Sequence, residues 1–81
     1  MNRRKLPLGT QNMVGERVTE ARMKIHMKQK DLLAQLQVNG IDISIPALSL
    51  LEGQKRPVSD FELSALSDIL KVDVNWLLGK K

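Results

Sequence analysis

The sequence contains no cysteine, no tyrosine and one histidine, and its aromatic side chains are Phe61 and Trp76 alone. Each scarcity removes a class of chemistry. Without thiols there is neither a disulfide framework nor a cysteine-based zinc site. With His26 as the lone imidazole, no His-His metal pair and no multi-histidine catalytic centre can be assembled. So sparse an aromatic content does not make a stacking platform for single-stranded nucleic acid. No apolar run approaches the roughly 18 residues that cross a bilayer. The opening Met1-Asn2-Arg3-Arg4-Lys5 is basic, yet no apolar stretch of about 7–15 residues follows it as in a signal peptide. A cytoplasmic location is therefore the default expectation.

What remains is a chain of 81 residues, enough for one small domain. Hydrophobic residues make up 42% and charged residues 27%, which is too apolar for a disordered chain. Thirteen lysines and arginines stand against nine acids, for a net charge of +4. Such an excess favours polyanionic partners, nucleic acid or an acidic membrane surface.

The hydrophobic pattern is helical throughout. Residues 1–12 carry Pro7, Gly9 and the cations Arg3, Arg4 and Lys5 without periodicity, and read as a flexible basic arm. Val14, Val18, Ala21 and Ile25 then mark one face of a first helix that fades near His26. Leu32, Leu33 and Leu36 fit a second helix from Gln29 to about Gln37, stopped by Asn39-Gly40. Ile41-Asp42-Ile43 alternates but is too short for a confident strand, so an extended connector is the simpler reading. Ser44 is a good N-cap for a third helix over Ile45 to Glu52, with Pro46 in its first turn and Gly53 at its end. Ser59 and Glu62 have capping-box spacing ahead of Leu63, Leu66, Ile69 and Leu70. Asp73 caps a last helix, Val74 to Leu78, stopped by Gly79. The fold class is all-α, with five short helices and no repeat.

Five of these segments, in order, carry a resemblance: Val14-Gly15-Glu16-Arg17-Val18, Lys28-Gln29-Lys30-Asp31-Leu32-Leu33, Ala47-Leu48-Ser49-Leu50-Leu51-Glu52, Lys55-Arg56-Pro57 and Val72-Asp73-Val74-Asn75-Trp76-Leu77-Leu78-Gly79. Together they resemble the Cro and lambda-repressor-like, or XRE-type, helix-turn-helix family over roughly residues 13 to 79. The resemblance implies a compact five-helix DNA-binding domain at 13–79, followed by a two-residue tail at 80–81, with the helix-turn-helix at helices two and three. It implies a transcriptional regulator, a repressor by preference, that binds double-stranded DNA as a homodimer. Helix three then enters the major groove, and half-sites lie about 34 Å apart.

Residue by residue, the resemblance gives Gln29 a phosphate contact and turns Ser44, Ile45, Pro46, Ser49 and Leu50 toward base edges. It sets Lys55 and Arg56 on the DNA backbone and pairs Arg22 with Glu52 as a structural ion pair. Lys28 and Lys30 join Lys55 and Arg56 as phosphate-facing cations. If about four to six phosphates are neutralised per protomer, log K falls with log salt at a slope of about −4 to −5. The base-facing set lacks the Arg, Gln or Asn that pair bidentately with guanine or adenine. Serine hydrogen bonding and apolar contact with thymine methyls remain. The turn before helix three is also longer than is usual in the family, and Lys28 stands where a capping Thr or Ser is common.

The remaining residues have plainer readings. Trp76 is expected in the core or, with helix five, in a dimer interface. Met13, Met23 and Met27 are expected to fill gaps in the core, and His26 to end a helix. Asp60 and Glu62 look like a carboxylate pair but suit helix capping, and no nucleophile accompanies them, so neither an enzyme nor a cofactor or small-molecule substrate is expected. The alternative function is a protein-interaction module that keeps the helix-turn-helix fold and docks an apolar helix three, through Ile45 and Leu50, on a partner protein. A membrane-surface role is disfavoured, because Glu16 and Glu20 interrupt the basic first helix and no aromatic anchors it.

Overall fold

The computed structural model describes residues 8–80. They form α1 (Gly15–Lys24), α2 (Gln29–Val38), α3 (Ile45–Glu52), α4 (Asp60–Leu70) and α5 (Val74–Leu77), and no strand occurs among the described residues. The stretch 41–43 is an extended link, and Ile43 plugs it into the core.

Local chemistry sets the helix ends. At α4 the capping box closes in both directions: Ser59 Oγ accepts from the Glu62 N–H at 3.1 Å, and Glu62 Oε1 accepts from the Ser59 N–H at 2.9 Å. Ser44 Oγ accepts from the Ala47 N–H at 3.3 Å, and Pro46 occupies the first turn of α3, where its missing donor costs nothing. Asp73 Oδ1 accepts from the Asn75 N–H at 2.8 Å at the head of α5. Gly40 and Gly79 close their helices at φ 82° and 80°.

Three expectations change. First, α1 ends at Lys24, and His26 turns the chain away at φ 58°. Ile25 becomes the helix cap and is exposed, so the buried face of α1 is Val14, Val18 and Ala21. Second, Met13 and Met23 are exposed rather than interior, and Met27 alone of the three packs against the core.

Third, the expected arm is not free over its last residues. The Gly9 N–H donates to the Gly53 carbonyl and the Gln11 N–H to the Gln54 carbonyl, both at 2.9 Å, laying this segment along the loop after α3. Asn12 fastens it. Its Oδ1 accepts from the N–H groups of Val14 (3.0 Å) and Gly15 (2.9 Å), while its Nδ2 donates to the carbonyls of Leu51 (3.1 Å) and Arg56 (2.8 Å). Gln54 Nε2 adds a bond to the Asn12 carbonyl at 2.6 Å. Arg3, Arg4 and Lys5, the cations of that arm, lie outside the described residues, as does Lys81 of the two-residue tail.

The core is built from leucines: Leu32 and Leu36 of α2, Leu48 and Leu51 of α3, Leu66 and Leu70 of α4, and Leu77 of α5, with Val18 and Ala21 of α1. α1 and α2 each pack on α3 and α4, and α5 packs on α4. No described helix is long and apolar enough to cross a membrane.

Candidate nucleic-acid interface

α3 is eight residues long and two-sided. Its buried side is Leu48, Leu51 and Glu52, with Ala47 half-buried; its open side is Ile45, Pro46, Ser49 and Leu50. At about 100° per residue the open positions share an arc of about 140°. Ile45 is 38% exposed and Leu50 46%, so the apolar side chains here lie in solvent rather than extending the core. Ser44 is exposed at the head of this face. The structure thus brings together the five residues expected to face base edges.

Besides the buried Leu48 and Leu51, a polar cluster at its C-terminal end fixes α3. Glu52 is only 3% exposed, and the Arg22 guanidinium grips it with a fork: Nε donates to Oε2 at 2.8 Å and Nη2 to Oε1 at 3.1 Å. Arg22 Nη1 donates to the Met27 carbonyl at 2.9 Å, so the same guanidinium also binds the link between α1 and α2. A carboxylate this deep is tolerable because it is paired and hydrogen-bonded.

Gln29 completes the cluster. At the start of α2, where the resemblance expects a phosphate contact, its Nε2 donates to Glu52 Oε1 at 3.1 Å and to Ser49 Oγ at 3.4 Å, so the amide ties α2 to α3. These bonds hold the N-terminal end of α2 beside the last turns of α3. They also carry Lys28 and Lys30 there, both exposed.

The loop after α3 supplies the remaining cations, and they differ. Lys55 is exposed, and its backbone N–H returns to the Leu50 carbonyl at 2.8 Å, which keeps it close to the end of the helix. Arg56 departs from the free cation expected: Nη2 pairs with Glu62 Oε2 at 3.1 Å, and Nη1 is buried with no partner. Its charge is paired with one carboxylate while the side chain stays partly exposed. Exposed acids near this face along the chain are Asp42, ahead of Ser44, Asp60, five residues after Lys55, and Asp31, whose carboxylate accepts from the Lys28 N–H at 3.2 Å.

Sequence reasoning missed Asn12, which accepts from the N–H groups of Val14, the N-cap of α1, and Gly15, and anchors the loop after α3. An asparagine just before a helix is a cap signal; its long-range bonds leave no local trace.

A separate groove of about 1010 Å³ is lined by Ile25, Met27, Ile69, Val72 and Trp76, with Glu20, Lys24, Asp68, Lys71 and Asp73 at its polar positions. Trp76 is half-buried and carries the Arg17 guanidinium 5.9 Å from its ring centre. The groove shares no residue with α3, and its charges are of both signs, giving no single-sign field. Comparison with protein-family models, curated proteins and solved structures finds no match to this chain.

Proposed function

We propose that this chain is a helix-turn-helix regulator of transcription, a repressor of the XRE type, that binds double-stranded DNA with α3 in the major groove. α2, the connector 39–44 and α3 form the helix-turn-helix of this reading. One observation carries it: a short helix offers a solvent-open face, its rear is locked by a buried ion pair, and exposed Lys28, Lys30 and Lys55 stand at its C-terminal end. An α-helix with its side chains is about 10–12 Å across, close to the major-groove width. The lysines supply affinity through phosphates, while the open face of α3 meets base edges.

The active species is a homodimer on a two-fold-symmetric site, with half-sites about one helical turn apart. The groove beside Trp76 and α5 is the surface offered to the second copy. A gel shift on random-sequence duplex across a salt series tests the reading. With Arg56 paired to Glu62, three phosphate-facing lysines give a slope of about −2.7 per protomer at about −0.9 each. Salt-insensitive binding, or none at low salt, overturns it.

The exposure of Ile45 and Leu50 favours one second reading, a protein-docking module on the same fold. Substituting both by Ser abolishes partner capture in that reading and leaves phosphate binding intact; Lys55→Glu does the reverse.

A further inference from the structure

The open face of α3 has an unusual chemical make-up for a surface that meets base edges. Ile45, Pro46 and Leu50 bring only hydrocarbon, and Ser49 and Ser44 bring hydroxyls. The hydroxyls are already partly used: Ser44 Oγ accepts from the Ala47 N–H, and Ser49 Oγ accepts from Gln29 Nε2. The amide brought to this face by α2, Gln29, is held on Glu52. No guanidinium or free carboxamide is left on α3 itself.

In the major groove every base-pair edge shows donors and acceptors, and one apolar group alone, the 5-methyl of thymine. Hydrocarbon laid over a guanine O6 or a cytosine N4 strips water from a polar atom without replacing its hydrogen bond, which is unfavourable. Laid over a methyl, it gains burial on both sides. We infer that α3 reads the 5-methyl group of pyrimidines, through Ile45 and Leu50, and that this chain therefore discriminates thymine from uracil and 5-methylcytosine from cytosine in duplex DNA. Ile45 lies in the first turn of α3 and Leu50 in its last, about 7.5 Å along the axis, far enough apart to cover methyl groups at separate base steps. The lysines at the end of the helix give the duplex a reason to be there, but they contact phosphates and cannot tell one base from another.

This inference rests on the DNA-binding reading above, and the experiment separates the two. The full chain is titrated by fluorescence anisotropy, at one fixed salt concentration, against alternating A·T duplex and its counterpart with deoxyuridine for thymidine. The same is done with alternating G·C duplex and its 5-methylcytosine form. Each methyl covered is worth about fourfold in affinity, hence roughly 15-fold for two, estimated from the transfer of one CH₂-sized group. The expected result is weaker binding on removing the methyl from thymine and tighter binding on adding it to cytosine. In the Ile45→Ser/Leu50→Ser variant both ratios fall to about one, while the salt slope and the helical circular dichroism are unchanged. Equal affinity for the thymine and uracil duplexes overturns methyl reading and leaves duplex binding standing. Ratios that persist in the double variant also overturn it, because the preference then belongs to duplex shape. Failure to bind any of the four duplexes at low salt overturns the inference together with the reading beneath it.

Discussion

Asn12 shows how much one small amide can hold. Its side chain accepts from two N–H groups at the start of α1 and donates to carbonyls of Leu51 and Arg56, so it joins the head of one helix to the end of another and to the loop beyond. Replacing it by Ala takes the donor from the Arg56 carbonyl, leaves the Leu51 carbonyl with the Gln54 N–H, and removes the acceptor at the head of α1. A loss of about 1–3 kcal/mol is expected in urea unfolding. Asn12→Asp keeps the acceptor for α1 but sets a carboxylate oxygen against the two carbonyls, and is expected to cost at least as much. Arg22 is the more severe case. Arg22→Ala leaves the Glu52 carboxylate buried without its fork, at a cost of about 3–5 kcal/mol. Arg22→Met combined with Glu52→Leu costs less than the two single changes together, because no charge is then left behind. The cations of the loop after α3 separate in the same way. Lys55→Ala shortens the salt slope by about 0.9 per protomer at little cost in stability, whereas Arg56→Ala, by breaking the bond to Glu62, lowers the unfolding midpoint and leaves the slope nearly unchanged.

At the scale of elements, α1 approaches the end of α3 closely at Gly15. A Cβ added at Gly15 would collide with the Leu51 carbonyl and stand 2.7 Å from that of Glu52. Both are backbone atoms and neither can swing aside. Gly15→Ala, which ordinarily favours a helix, is expected here to destabilise by about 1–3 kcal/mol, as overpacking does; a thermal melt reads the sign. Elements whose ends are made by neighbouring residues were legible in the sequence. Ser59 with Glu62, Ser44 with Pro46, and Asp73 all cap where the pattern puts them. The hold on residues 9–12 was not legible, because backbone bonds to Gly53 and Gln54 depend on neither side chain nor spacing. The exposure of Ile25 was missed for a related reason: apolar periodicity marks a face but not where the helix stops, and a left-handed His26 stops α1 one residue earlier. Within the candidate interface the open positions of α3 came from the resemblance, not from spacing. The diversion of Gln29 to Glu52 and of Arg56 to Glu62 was not legible, since polar side chains choose partners across the fold.

For the molecule as a whole, opposite charges are distributed by use. Glu52 and Glu62 face inward and absorb Arg22 and Arg56, while Lys28, Lys30 and Lys55 stay in solvent around one end of α3. The net charge of +4 thus says less about a polyanion's encounter than the gathering of three exposed lysines at that end. Association in the proposed role is correspondingly steered: added salt lowers the on-rate more than it changes the lifetime of the complex, a split that stopped-flow anisotropy resolves.

The polar fastening of α3 is lopsided. Arg22, Gln29 and the strap of residues 9–12 all grip its last turn and the loop that follows, while its first turn has a single serine cap and the hydrophobic plug of Ile43. Beyond the core contacts of Leu48 and Leu51, the polar grip thus lies at one end of the rod. Adjustments to a curved or widened groove would swing its leading end, carrying Ile45 and Pro46, about a fulcrum near Glu52. Amide exchange is expected to register that motion as faster hydrogen loss at Ala47 and Leu48 than at Glu52 and Gly53.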